Sequence, residues 1–246
     1  MPEYRLTTLG ELGLRLPIGI LQDGHYHREF TIRPMKSKYE RQINEIRRKV
    51  RALTVGRMVA EVLAFMCPSI GPHDLEGMKK GGALVAIGKM DLMDVLYAYV
   101  MIRVESLGHD LELVLNCPNC RNQADVITDL RDLDVLVLDT EDEADLSYSY
   151  EMKKPFEIRK TNITELACDQ VFWNAYDVPG MEGAFNPTIK EYALIRGSIR
   201  KAKEINGHIV LTEAEMDELS VLDKTHLVAE IDDRLAGPRM VIEMNC

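Results

Sequence analysis

The sequence predicts an α+β fold: a helical hairpin, a central β-hairpin tipped by a CxxC knuckle, and a helical C-terminal section that ends in a strand. Three observations predict it. Ile43, Ile46, Val50 and Leu53 recur at helical spacing, continued by Met58, Val62 and Phe65, and so do Leu92, Val95, Leu96, Tyr99 and Ile102. From Leu111 to Thr128 the apolar period drops to two on either side of Cys117-Pro-Asn-Cys120. After Pro187 helix-start and helix-stop signals dominate until a last apolar run, Met240–Cys246.

Taken in order, Met1–Pro34 is broken by Gly10, Gly13, Pro17, Gly19 and Gly24 and reads as extended, with Arg28–Arg33 alternating like a short strand. Lys38–Met66 reads as a helix stopped by Pro68, and Gly71–Gly88 as a glycine-rich loop. Asp91 caps a second helix that Gly108 closes, so that Lys38–Leu107 forms two antiparallel helices. Leu111–Asn116 and Gln123–Thr128 make the hairpin, and Leu133–Leu138 a further strand. Asp139–Asp145 holds five carboxylates without the glycine and alternating ligands of a calcium loop, and reads as a solvated linker. Tyr148–Lys160 looks like a strand pair, its Phe156-Glu-Ile-Arg159 echoing Phe30-Thr-Ile-Arg33. Asn162–Glu165 reads as a capping box, Pro187 precedes a helix to about Ile205, and Thr212–Glu215 is a second capping box before a helix that Gly237-Pro238 ends. The sections expected are 1–110, 111–138, the linker 139–147, and 148–246.

Composition narrows the function. With 46% hydrophobic and 28% charged residues the chain is an ordinary globular one, and its formal charge of −10 argues against coating a nucleic-acid backbone, which depends on neutralising phosphates. The first residues carry no basic stretch followed by an apolar one, so no signal peptide is visible, and no apolar run approaches the roughly 20 residues of a membrane helix. Five cysteines, an odd number, favour reduced thiols or a metal over a disulfide framework.

Cys117 and Cys120 carry the sharpest signal. A knuckle points both sulfurs the same way, yet tetrahedral zinc needs four ligands and one CxxC supplies two. A zinc half-site, a redox pair and a purely structural turn all fit. The redox reading suffers because the motif ends a strand and does not open a helix that would lower a thiol pKa. Cys67 and Cys168, in helix-like contexts, read as small buried residues. Cys246 differs: Val-Ile-Glu-Met-Asn-Cys parallels Leu-Val-Leu-Asn-Cys, and the expected arrangement folds that strand back on the 111–128 hairpin to bring Cys246 beside Cys117 and Cys120. Gly82 to Lys89 fails as a phosphate loop on spacing and on Met90, His25 and His27 read as exposed loop histidines, and Trp173 as core. No catalytic constellation stands out, so no enzyme is expected.

The order of these parts is itself informative. An extended N-terminus leads to Phe30-Thr-Ile-Arg-Pro34 and helices. A Cys-Pro-x-Cys hairpin follows, with Ala124-Asp-Val-Ile-Thr-Asp-Leu130 after it, then a second strand–helix section and a terminal cysteine strand. The whole resembles the baseplate-hub and tail-assembly proteins of contractile-tailed phages, T-even hub components among them, and of related contractile injection systems. The resemblance implies a structural or chaperone-like protein that docks other baseplate or tail proteins as part of an oligomeric assembly. It would act in the host bacterial cytoplasm, and in the virion baseplate if it stays there. In fuller members a second Cys-x-x-Cys is expected at the C-terminus, where Cys246 alone matches. Zinc is the metal that Cys117, Cys120 and Cys246 would share. The competing class is a zinc-knuckle regulatory or nucleic-acid-binding protein, for which the basic cluster Arg47–Arg51 would be the local patch.

Overall fold

In the computed structural model, residues 3–49, 55–116, 120–176 and 187–239 are described. The fold is mixed α+β with several small sheets. β1 (Tyr4–Thr8) runs into a one-turn helix, α1 (Leu9–Leu12), through a capping box in which the Thr8 hydroxyl accepts from the Glu11 amide and the Glu11 carboxylate accepts from the Thr8 amide. β2 (Arg15–Gln22) and β3 (His25–Glu29) form a hairpin about Asp23-Gly24, both at positive φ (53° and 80°), the geometry Asp-Gly favours. The strand thus lies earlier than the Arg28–Arg33 segment expected, overlapping it only at Arg28-Glu29, and Phe30 keeps an isolated bridge to Ile70 and donates its amide to Leu14 O.

The helical region departs from a simple pair. α2 (Ser37–Lys49) and α3 (Val55–Met66) are followed by a short ribbon, β4 (Ser69–Ile70) and β5 (His73–Asp74). Then α4 (Lys80–Gly88) occupies much of the stretch read as a glycine loop. Gly81 and Gly82 lie in its first turn, each a cost of about 1 kcal/mol relative to alanine in a helix interior. Burial of Ala83, Leu84, Ala86 and Ile87 offsets that cost. α5 (Leu92–Leu107) packs on α3 as the spacing predicted, with the Asp91 carboxylate accepting from the Met93 amide at 2.8 Å and Gly108 at φ 87° closing it. Val62 of α3 is 2% exposed and belongs to the main buried cluster.

β6 (Asp110–Asn116) and β7 (Gln123–Asp129) form the expected hairpin, and β8 (Asp134–Leu138) pairs with β1 from Tyr4↔Leu138 to Thr8↔Asp134. The acidic run after β8 is exposed but bonded: the Tyr26 amide donates to Glu141 O, the Glu143 amide to Gly24 O, and Arg15 pairs with Glu141 at 2.9 Å. β9 (Tyr148–Ile158) is one long strand where a strand pair was expected, and the Asn162–Glu165 capping box is instead part of β10 (Thr161–Cys168). The reason lies in Arg159 and Lys160. Both adopt positive φ (50° and 66°) and make a tight hairpin turn that a helix start cannot follow. The echo of Phe30–Arg33 therefore does not extend to the elements that follow.

α6 (Pro187–Ser198) stops short of Ile205 because Ile199 and Ala202, both buried, continue as β11 (Ile199–Ala202) on the free edge of β10. The second capping box, Thr212 with Glu215, is present at α7 (Glu213–Asp217). Ser220 restarts the chain as α8 (Val221–Arg234), making two helices of the one expected. Gly237-Pro238, read as a terminator, is β12, on the edge of β8 away from β1. The terminal strand expected at Met240–Cys246 lies outside the described residues. One buried cluster draws on residues from Leu9 to Ile231. In it the Tyr97 hydroxyl donates to Gly13 O at 2.6 Å and Trp173 Nε1 to Gly56 O at 3.0 Å. Among the described residues no helix is long and apolar enough to cross a membrane.

Candidate functional site: an uncovered hairpin arm

Every residue of β6 and β7 is exposed or half-buried. The alternation of β6 puts Leu111, Leu113 and Leu115 on one face. The register sets Thr128, Val126 and Ala124 opposite them, and Leu111 packs on the main core. The other face carries Glu112, Val114 and Asn116 against Ile127, Asp125 and Gln123, with Val114 at 64% and Ile127 at 70% exposure. A two-stranded hairpin alone is marginal in water, and among the described residues no layer covers the face that carries Val114 and Ile127.

Its root is fixed. Arg103 of α5 donates to Gly108 O and, at 2.7 Å, to Asp110 O, while the Leu130 amide donates to His109 O. His109 Nδ1 stands 3.0 Å from an Asp110 carboxylate oxygen and 3.1 Å from one of Asp129. Arg131 pairs with Asp129 at 2.6 Å and holds its carboxyl down to about 2. His109, Asp110 and Asp129 are close enough to surround a cation. With Arg131 already on Asp129, they act as a polar clasp at the foot of the arm.

Of the predicted ligands, Cys120 is exposed at the tip, whereas Cys117 and Cys246 lie outside the described residues, and the fold-back with them. Cys67 and Cys168 are buried as expected, and burial pushes each thiol up to about 12, which keeps it protonated. Cys168 closes a strand, however, and Cys67 follows a helix. His25 and His27 sit on β3 rather than in a turn, exposed, with His25 Nδ1 2.9 Å from Asp142.

Sequence reading missed the buried charges. Asp94, 0% exposed, accepts from the Ile18 and Gly19 amides at 2.8 Å each and ties α5 to β2. Beside it a cleft of about 320 Å³ lies between Tyr4, Asp91, Tyr148, Asp169, Glu230 and Arg234. Burial, and then the charge of Asp94, push the Asp91 carboxyl well above its usual range. Arg234 is committed to Glu230 at 2.5 Å and lies 4.4 Å over the Tyr148 ring. Only the N-cap position of Asp91 had a signal in the sequence. Asp94 falls on the turn after it, where a solvated carboxylate would look the same.

A model of the family described as T4 bacteriophage base plate protein matches residues 29–232, and the chain belongs to that family of phage baseplate proteins. The search of curated proteins and the search of solved structures gave no significant match.

Proposed function

We propose that this protein is a structural component of the phage tail baseplate, at or near its hub, that works without catalysis by docking other baseplate or tail proteins, and that the β6–β7 hairpin is its docking arm. The observation that carries this reading is the arm itself: a fixed root, two seven-residue strands, and Val114 and Ile127 left open to water. A surface of that kind lowers its free energy by being covered. The family supports the setting, assembly in the host cytoplasm with retention in the virion tail, and the net charge of −10 supports protein rather than nucleic-acid partners.

Zinc belongs to the same proposal. Cys117 and Cys120, with Cys246 as a third thiolate, would fix the tip of the arm, since zinc–thiolate bonds of about 2.3 Å make a rigid knuckle of a turn. Metal analysis of the purified chain is expected to find one zinc per chain, lost in Cys120→Ser. A metal-free chain with an unchanged arm would reject this part alone. The docking proposal is tested by quantitative mass spectrometry of purified tails and tail intermediates. The protein is expected in stoichiometric amount beside other baseplate proteins, and Val114→Glu with Ile127→Glu is expected to exclude it. Normal incorporation of the double variant overturns the reading.

A further inference from the structure

We infer that the outer edge of β6 is a strand-acceptor site, taking an extended segment of a partner protein that is apolar at alternate residues and carries lysine or arginine opposite Glu112. This deepens the docking proposal and rests on it.

Residues directly opposite in an antiparallel ladder alternate between pairs that exchange hydrogen bonds and pairs that do not. The register Asp110↔Asp129 continues to His109↔Leu130, and the Leu130 amide donates to His109 O at 2.9 Å. The bonded pairs are therefore those of odd-numbered β6 residues. Asp110, Glu112, Val114 and Asn116 turn their N–H and C=O groups outward, as the Arg103 guanidinium on Asp110 O bears out from the other side. Beyond Asp110, no described residue pairs with these groups, which recur about every 7 Å along a strand edge. Uncovered edges of this length are what folded proteins ordinarily blunt with charged side chains, lysine above all, with a proline or with a bulge. β6 has no lysine, proline or bulge: it reads Asp-Leu-Glu-Leu-Val-Leu-Asn with regular pairing throughout, and its only charges, Asp110 and Glu112, are acidic and so set the charge a partner must carry rather than exclude one.

Side chains choose the occupant. A strand added at this edge meets Leu111, Leu113 and Leu115 on one face, which asks for alternating apolar residues. On the other it meets Glu112 and Val114, with Asp125 across the ladder from Val114 and no basic side chain among the described residues of either strand. Charge complementarity thus asks for lysine or arginine. The chain's own Met240–Cys246 has Glu243 and no basic residue, and would set like charges together.

The test uses the full chain and a seven-residue peptide alternating valine and lysine, with a valine–glutamate peptide as control, read by amide hydrogen exchange. Without peptide, the Glu112 and Val114 amides should exchange much faster than those of Leu113 and Leu115. The valine–lysine peptide should slow exchange at Glu112, Val114 and Asn116 by at least about tenfold, and the valine–glutamate peptide should not. Val114→Pro removes an outward N–H and none of the ladder's own bonds, and should abolish the effect. Should proline unfold the arm, Glu112→Lys, at an exposed side chain, should reverse the peptide preference. Slow exchange at Val114 in the chain alone would mean that the edge is covered in cis, and slowing that depends on protein concentration would mean a second copy. Either overturns the inference, as does equal response to both peptides or protection confined to β7. A chain that enters tails yet ignores both peptides loses this inference and keeps the docking proposal.

Discussion

Asp223→Asn should destabilise the protein by about 2 kcal/mol, and Asp223→Ala by about 3–5 kcal/mol. The carboxylate is 0% exposed on the first turn of α8 and reaches across to β9, where it accepts from the Lys153 amide at 2.6 Å and the Lys154 amide at 3.0 Å. It also accepts from the Ser220 hydroxyl at 2.5 Å and more loosely from Tyr150 at 3.4 Å. A half-buried amide left without its acceptor costs about 1–3 kcal/mol. Asparagine keeps one oxygen for one amide and turns an NH₂ on the other, whereas alanine abandons both. At this chain length each kcal/mol moves the melting temperature by roughly 2–4 °C, so the asparagine variant should melt about 4–8 °C lower at pH 7. Acid supplies an independent check. Burial raises the Asp223 carboxyl, but the bonds from Ser220, Lys153, Lys154 and Tyr150 outweigh it and hold the group below its ordinary 3.8. A depressed native pKa means stability present above the unfolded value and lost as pH falls through the native one. The gap between the parent and Asp223→Asn should therefore close below about pH 4. Calorimetry across pH 3–7, with hydrogen exchange at Lys153 and Lys154, reads both. Melting within 1 °C of the parent at pH 7 (a shift of about the size expected for a neutral surface change), or undiminished protection of both amides in Asp223→Ala, would refute the reasoning.

Other perturbations have defined signs. Asn-Gly at Arg159-Lys160 relieves two left-handed non-glycine residues and should raise the denaturation midpoint by the equivalent of about 1 kcal/mol; a fall would mean that the Arg159–Glu215 pair at 3.3 Å matters more than the strain. Gly237→Ala, at φ 129° with its new Cβ 2.6 Å from Met93 Cβ, should cost about 2 kcal/mol or more by thermal melting. Val62→Asp should cost about 3–5 kcal/mol by the same measurement, a buried unpaired charge in the main core; a variant that melts like the parent would mean that this face is open to solvent.

What the sequence made legible was what repeats. The α3 and α5 faces, the β6–β7 alternation, the Asp91 cap and the Thr212 capping box are local patterns, and the fold keeps them because tertiary packing agrees with them. The failures share a cause as well. Asn162–Glu165 carries a capping-box spelling, but Ile163 and Leu166 find more burial against β9 than a helix would give them. α4 spells itself with glycines, and its helix depends on α3, which no local window contains. β12 is two residues long and exists because β8 offers an edge. Asp94 and Asp223 are the hardest to foresee: each is a carboxylate on the first turn of a helix, normally a solvated position, and each is buried only because amides from a distant strand need an acceptor.

The same distinction separates the arm from the rest of the molecule. Its alternation was legible, but alternation alone cannot say what covers it, since a sheet face reads identically with or without a layer on top. The structure leaves Val114 and Ile127 exposed among the described residues and shows the contacts that hold the arm's root. Arg103 grips both residues flanking the His109 turn, Leu130 returns a backbone bond to His109, and Asp129 is clasped by Arg131 and His109. The flanking α5 and β8 are rooted in the core, through Tyr97, Met101 and Ile102 on one side and Val135 and Val137 on the other. Were the arm to dock a partner, as proposed, a strand on a mobile stem would pay its ordering entropy at each encounter, whereas one held at its root by these contacts would retain more of the buried area as affinity.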